Sequence, residues 1–309
     1  MSFPRSGIRV LTAAQAQDVD LGPLTQLQGT WVNAPLSSPD RIAQGWNVIA
    51  VPGTPSFTLE IIPYTETLTF TPVVVADNRG PFINGQEVTQ QITGLMYKQE
   101  ILSACPTDFC AERGFKAGTM IHAETGLLLN LGSPDGGYTV ARLATIPHGN
   151  SVLCLGQSAV IQPGLDHSFI GTANTIPTNL DGSPLSSKDF LFNYADGYIG
   201  APFLGVFFQS DPNTFLTSTI EGMNITDMTV IKMSSNNPNA GGGILNIPFI
   251  SSNVNATQMD FIFWIETVEG LTSPLLQYTQ TINLVFPPTG NPHPVLWPHV
   301  TVNTLTKVS

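Results

Sequence analysis

The amino-acid sequence predicts an all-β protein in which antiparallel strands follow one another as a meander in a barrel or sandwich. Strand-like segments with alternating apolar and polar residues recur at roughly even spacing, and turn signals separate them. The chain contains 28 glycines and 25 prolines, the residues that most often punctuate such turns. Strong helical periodicity is not evident. These observations favour a turn-rich β protein.

The composition indicates a folded chain with an uncharged polar surface. Charged residues make up 11% of the 309 residues, against about 25% in typical domains, and hydrophobic residues make up 42%. Disordered chains show the opposite balance. The formal net charge of −11 argues against nucleic acid and against an anionic membrane surface as partners. Apolar runs stay below the roughly 18 residues needed to span a bilayer, so no membrane segment is predicted.

We predict a lead-in over residues 1–20 and a single barrel domain over residues 21–309. Residues 162–257 differ from the rest because they are rich in Pro, Asn, Gly and Ser. We interpret this range as a long loop-and-strand insertion on the barrel, not as a second core. It still contains strand-like pieces at 203–208, 215–220 and 228–233.

The strand predicted at residues 120–131 carries an unusual polar pair. Because a strand places residues i and i+2 on one side, His122 and Glu124 share a face. A neighbouring carboxylate tunes an imidazole near neutrality, which makes the pair a candidate for general acid–base catalysis. The alternative is a buried polar network that holds the strand register inside the barrel.

Cysteine usage predicts a reducing, cytoplasmic location. Cys105, Cys110 and Cys154 do not make a disulfide framework, and they lack the further ligands that a zinc site needs. Residues 1–7 lack the charged start and apolar core of a signal peptide. We therefore expect reduced thiols.

Several motifs occur in an order that resembles the nitrobindin-like haem-binding β-barrels, distant relatives of fatty-acid-binding and other lipocalin-like barrels. The resemblance covers roughly residues 21–160 and 259–308, and it implies a ten-stranded antiparallel up-and-down barrel. The insertion at 162–257 has no counterpart in that family. The motifs that carry the resemblance are Gly22-Pro-Leu-Thr-Gln-Leu-Gln-Gly-Thr-Trp31, Tyr64-Thr-Glu-Thr-Leu-Thr-Phe70, His122-Ala-Glu-Thr-Gly126, Ile146-Pro-His-Gly149 with Gly156, and the strands at 275–280 and 299–308.

The resemblance implies that the barrel binds haem b through a histidine on the last strand, and His299 is the position that matches. A neutral imidazole is a common axial ligand, and an apolar pocket retains the haem. Trp31, Phe263 and Tyr278 are the aromatic residues expected to contact the cofactor. If the protein is an enzyme, the resemblance implies peroxynitrite isomerisation or a peroxidase-like activity.

Two other functions remain open from the residues alone. One is a haem-free carrier of a lipid or another hydrophobic small molecule, which the low charge and apolar strands fit equally well. The other is a haem-free enzyme that uses His122 and Glu124 on an organic substrate. Motifs of common hydrolases, kinases and dehydrogenases are absent from the sequence. The insertion also leaves room for a structural or surface-interaction protein.

Overall fold

A computed structural model describes residues 9–10, 19–36, 41–52, 57–74, 78–83, 86–90, 92–106, 114–132, 137–185, 202–237, 241–288 and 293–309. Most of the predicted lead-in, and Cys110, lie outside these ranges. The described helices are a 3-10 helix at Gly22–Leu27, α1 at Asn213–Thr219 and α2 at Pro248–Asn253. The described strands are β1 Arg9–Val10, β2 Gly29–Asn33, β3 Gly45–Pro52, β4 Phe57–Val74, β5 Asn78–Ile83, β6 Gln86–Gln90, β7 Thr93–Ser103, β8 Met120–Asn130, β9 Val140–Ile146, β10 Asn150–Ile161, β11 Ile225–Ser234, β12 Gly243–Asn246, β13 Asn255–Val268, β14 Leu275–Phe286 and β15 Val295–Lys307.

Eleven of the fifteen described strands form a closed antiparallel barrel with ten positions in its wall. The order around the wall is β4, then β2 together with β3, then β15, β14, β13, β11, β10, β9, β8 and β7, and β7 pairs with β4 again. Strands β2 and β3 share one position because β2 pairs with the end of β15 and β3 with its middle. The predicted all-β, up-and-down barrel is confirmed.

Alternation along β4 shows how the sequence builds the inner core. Tyr64, Glu66, Leu68 and Phe70 are buried, whereas the intervening Thr65 and Thr67 are exposed. Because successive side chains of a strand point to opposite faces, the buried set shares the inside of the barrel. At one end this inner core is completed by the 3-10 helix, whose Leu24 and Leu27 are fully buried in the same cluster.

The part of the insertion around α1 packs on the outside of the barrel. Trp46 of β3 makes ring contacts with Phe203, Phe207 and Phe215 of the insertion. Val300 of β15 belongs to the same outer cluster. This outer core explains why β3 and the first half of β4 carry apolar residues on both faces. One face points into the barrel, and the insertion covers the other.

Two details of the predicted insertion differ from the structure. Segment 215–220 falls mostly in α1 instead of a strand, because Pro212 precedes the helix and the buried Phe215, Leu216 and Thr219 follow helical spacing. Segment 203–208 is a set of turns with isolated bridges. Segment 228–233 is a strand as predicted, but β11 lies between β10 and β13 and so belongs to the barrel wall.

Two sequence-level expectations about environment can be compared with the described residues. Cys105 is disulfide-bonded, which contradicts the expectation that all thiols are reduced, whereas Cys154 is free and buried. A single disulfide needs only two cysteines, so a count too low for a framework does not exclude one. Within the described ranges, none of the helices has the length and apolar character needed to cross a membrane.

Candidate functional site

A cavity of about 360 Å³ occupies one end of the barrel interior. Most of its wall is aliphatic, with side chains such as Ile49, Ile101 and Ile282. Three histidines also line it: His122, His148 and His299. Its described lining contains no Asp, Glu, Lys or Arg. The volume lies at the lower end of the range for small-molecule sites, and the aliphatic wall is typical of them.

His299 lines the cavity because it lies on the inward face of β15. His299 and Thr301 line the cavity, whereas Val300 and Val302 pack outward in the insertion core. The Nε2 atom of His299 is hydrogen-bonded to Oδ1 of Asn47, an oxygen that also accepts a hydrogen bond of 3.0 Å from the Thr301 hydroxyl. The residue is partly buried, and its side chain lines the cavity. Burial, helped by His122 and His148, lowers the pKa of His299 to about 3, so the imidazole is neutral.

His122 and His148 form a pair on the opposite part of the wall. Their ring centroids lie 5.4 Å apart. His122 belongs to β8, and His148 lies in the turn that joins β9 to β10. The sequence indicates an exposed turn for His148, and the side chain is indeed exposed, yet it also lines the cavity. Burial and then the charge of His122 lower the pKa of His148.

Beneath His122 lies a buried ion pair between Glu124 and Arg142. The His122 Nε2 atom is 3.3 Å from Oε2 of Glu124, and a guanidinium nitrogen of Arg142 is 2.6 Å from Oε1. Burial alone would raise the pKa of Glu124, but Arg142 and His122 outweigh it and hold the pKa at about 2. Burial likewise lowers the pKa of Arg142, and Glu124 reverses the effect and raises it. Both groups are therefore charged at neutral pH.

Arg142 also fixes two further groups across the barrel. It donates to the Tyr97 hydroxyl at 3.0 Å and to Oε1 of Gln280 at 2.9 Å. Its guanidinium carbon lies 4.3 Å from the ring centroid of Phe261. Tyr97 in turn donates a short hydrogen bond to Glu124. The donors of Arg142 are thus engaged within the wall, and the residue serves as a structural crosslink between β9 and β14.

Gly126 is required by the position of Tyr97. A Cβ atom at Gly126 would lie 2.0 Å from the carbonyl oxygen of Leu143 and 2.8 Å from the Tyr97 ring. Both distances are well inside van der Waals contact. The glycine in the His122-Ala-Glu-Thr-Gly126 motif therefore lets the Tyr97 ring lie over the β8 backbone, from where its hydroxyl reaches Glu124.

A second polar network, centred on Glu66, forms the other half of the cavity floor. The Glu66 carboxyl receives hydrogen bonds of 2.7 Å from Gln99 and from Asn303, and it lies 2.7 Å from the Tyr278 hydroxyl. Tyr278 is 2.9 Å from the Tyr64 hydroxyl, which is bonded to a backbone oxygen. Burial raises the pKa of Glu66, and the hydrogen bonds that its carboxyl accepts from Tyr278, Gln99 and Asn303 oppose that rise.

The structure brings together only part of the predicted site. His122, His299 and Tyr278 line the cavity, and Glu124 lies directly beneath His122. Trp31 lies in the inner core, where its indole nitrogen donates to the Leu27 carbonyl at 2.7 Å. Phe263 lines a separate void of about 10 Å³. Neither Trp31 nor Phe263 is part of the described cavity lining.

Sequence reasoning did not identify Arg142 or Glu66 as members of the site. The sequence contains a signal for both, because each charged residue lies on the buried face of a strand. Arg142 lies between Val140 and Ala144 on that face, and Glu66 lies between Tyr64 and Leu68. A charged residue in such a phase requires a partner. For Arg142 the partner was already visible in the sequence as Glu124.

Across the described residues, no three His, Cys, Asp or Glu side chains are grouped closely enough to bind a metal ion. The site therefore offers single imidazoles, not a multidentate metal centre. It combines an aliphatic wall, a polar floor and imidazoles on opposite sides. Such an arrangement can enclose an apolar molecule and form hydrogen bonds with its few polar atoms.

Comparisons with known proteins add little to this geometry. No family model matches the sequence, and no curated protein does. Among solved structures, the chain is similar to Rv2717c from M. tuberculosis, with a TM-score of 0.41 and 16% identity over 94% of this chain and 100% of that chain. At that level the similarity carries no argument about function. Membership of the nitrobindin-like family stays a prediction.

Proposed function

We propose that this protein binds a small, largely apolar molecule in the barrel cavity. The observation that carries the proposal is the joint presence of three histidines and an aliphatic wall around one volume of about 360 Å³. Pockets of this composition bind organic ligands through apolar contact and use a few polar groups to orient them. The buried floor networks keep the shape of the site fixed in the absence of ligand.

Haem b is the specific ligand that the family resemblance implies, and the donor set is compatible with it. His299 would hold the iron, and the aliphatic side chains would contact the macrocycle. A ligating histidine usually donates its other ring N–H to a protein oxygen, and the contact of Nε2 with Asn47 supplies such a partner. Carboxylates on haem would find no cation in the described lining, so they would need to face the open mouth. Bound haem would supply a coordination position for peroxide or peroxynitrite.

Hemin titration followed by absorption spectroscopy tests the haem proposal. We expect a shifted Soret band that saturates at one hemin per chain, and we expect His299→Ala to abolish the shift. His167→Ala is the matched control, because His167 is bonded to the Met223 carbonyl outside the cavity. A His299→Ala protein with the same hemin spectrum as the parent would refute the ligand assignment. A parent spectrum that does not change on adding hemin would refute haem binding. Mass spectrometry of co-purifying molecules would then test the general proposal of an apolar ligand.

A second candidate is acid–base catalysis by His122, supported by the ion pair beneath it. Glu124 orients the imidazole through Nε2, and Arg142 keeps Glu124 ionised. An oriented imidazole at a cavity wall can move a proton to or from a bound molecule. If a substrate is found, Glu124→Gln should lower turnover by about 10²-fold or more while the fold persists. Full turnover in that variant would eliminate this candidate.

A further inference from the structure

The described cavity lining contains no Asp, Glu, Lys or Arg, although such residues lie close behind it. Arg142, the buried cation nearest in the fold, already contacts Glu124, Tyr97 and Gln280. Glu66 is enclosed by its own hydrogen-bond donors and does not line the cavity. An anionic ligand group placed inside would lose its hydration, and the described lining would offer it imidazoles but no Lys or Arg as a partner, which is costly. The part of any ligand within the cavity is therefore expected to be neutral.

The hydrogen bonds of His299 determine which atom it offers to a ligand. The Thr301 hydroxyl lies 3.4 Å from Nε2 of His299 but donates its proton to Oδ1 of Asn47 at 3.0 Å. Because an amide oxygen can only accept, the contact of Oδ1 with Nε2 then places the ring proton on Nε2. An imidazolium here would be a buried charge without a counterion, since the described lining holds no carboxylate. The neutral ring then carries its lone pair on Nδ1. No hydrogen bond to Nδ1 is present among the described residues.

We propose that the cavity selects uncharged, largely apolar molecules that carry an O–H or N–H donor, and that His299 accepts the hydrogen bond from this donor. The inference rests on the proposed function, because it specifies the chemistry of the molecule bound in the same cavity. It predicts that phenols and N–H heterocycles bind, and that carboxylates of the same size do not. Asn47 acts as a positioning residue, since it fixes the ring tautomer.

Three naphthalene probes of similar size separate these properties: 2-naphthol, 2-methoxynaphthalene and 2-naphthoate. Isothermal titration calorimetry on the full chain near neutral pH compares a neutral donor, a neutral molecule without a donor, and an anion. We expect 2-naphthol to bind about tenfold more tightly than the methoxy compound, the value of one net hydrogen bond. We expect 2-naphthoate to bind more weakly than either neutral probe.

Variants of His299 assign the hydrogen bond. His299→Phe should remove the preference for naphthol over the methoxy compound, whereas His299→Gln retains an acceptor oxygen and should preserve part of it. Asn47→Leu frees the ring proton and should reduce the preference. His167→Gln, remote from the cavity, should leave all three affinities unchanged. Circular dichroism checks that each variant is folded, and the His299→Gln and Asn47→Leu results stand if His299→Phe does not fold.

The outcomes separate failure of this inference from failure of the proposed function. Equal affinity for naphthol and the methoxy compound, or tight binding of naphthoate, would overturn the selectivity while leaving a ligand-binding cavity. A preference that survives in His299→Phe would overturn the role of His299. Hemin binding without any naphthalene binding would likewise overturn the donor rule alone. If neither hemin nor any probe binds, the proposed function fails and this inference fails with it.

Discussion

Replacing Arg142 by methionine should destabilise the barrel strongly, because it leaves a buried carboxylate without its cation. Glu124 is fully buried, and Arg142 contributes its closest ionic contact at 2.6 Å. The pKa of Glu124 falls from an ordinary 4.5 to about 2. At about 1.4 kcal/mol for each pH unit, this corresponds to about 3 kcal/mol of stabilisation of the charged form. Loss of one partner of a buried pair typically costs about 3–5 kcal/mol, so the two magnitudes agree.

Urea unfolding of the parent, Arg142→Met, Glu124→Gln and the double variant measures this coupling. We expect Arg142→Met to lose about 3–5 kcal/mol of unfolding free energy near neutral pH. The double variant should lose less than Arg142→Met alone, because no uncompensated charge remains in the wall. A double variant as unstable as the single one would show that packing, not charge, dominates. Parent-like stability of Arg142→Met would refute the ion-pair argument.

The same group makes a signed prediction about pH. Since the folded-state pKa of Glu124 is lowered, its stabilisation is present above the unfolded-state value of 4.5 and is lost as the pH falls towards 2. Other carboxylates also titrate in this range, so the informative quantity is the difference between parent and Glu124→Gln. That difference should shrink by about 3 kcal/mol between roughly pH 6 and pH 2. Parallel pH profiles for the two proteins would contradict the assignment.

Three further changes test other parts of the fold by the same unfolding measurement. Gly126→Ala should cost about 1–3 kcal/mol, because its Cβ meets the Leu143 carbonyl, and an unchanged midpoint would exclude that crowding. Glu266→Met should stabilise the protein by about 1–3 kcal/mol near pH 8 and much less near pH 4. Burial raises the pKa of Glu266, whose carboxyl oxygens have no hydrogen-bond partner among the described residues, so the parent loses stability as the pH rises above the ordinary value. Equal gains at both pH values would contradict this. Trp31→Phe should cost about 1–3 kcal/mol through the lost bond to Leu27 and lost packing, and a neutral result would deny that Trp31 anchors the 3-10 helix.

Alternation in the sequence predicted the strands and the inward faces well, but it did not predict height along the barrel axis. His122, Tyr278 and Phe263 all point inward as expected, yet Phe263 lies below the floor and the other two line the cavity. A strand pattern of period two specifies a face. The position of a residue along the barrel axis depends on the stagger between paired strands. This stagger is set by closure of the whole barrel, not by any one strand. Trp31, expected to contact the cofactor, likewise lies in the inner core and not in the described cavity lining.

The insertion was harder to predict because its folding depends on a surface that the sequence does not reveal. Segment 215–220 contains Phe, Leu, Thr and Ile, which suit a strand as well as a helix. The side of β3 that carries Trp46 is buried only because α1 and its neighbours cover it. Propensity is weak for such a short segment, so tertiary packing determines the outcome. In contrast, β11 has enough alternation to be predicted as a strand without that context.

The floor of the cavity links the stability argument to the proposed function. A polar layer across a barrel interior is tolerated only when its groups are satisfied, and here Glu124 is paired with Arg142 while the Glu66 carboxyl accepts hydrogen bonds from Gln99, Tyr278 and Asn303. The charged groups of the layer are therefore satisfied by their neighbours and do not line the cavity above them. A ligand then gains little from being charged and gains most from apolar contact and from a donor that reaches His299. If Arg142→Met leaves Glu124 as an unpaired charge, the altered cavity should lose its discrimination against cations, because the floor itself would then supply a counterion.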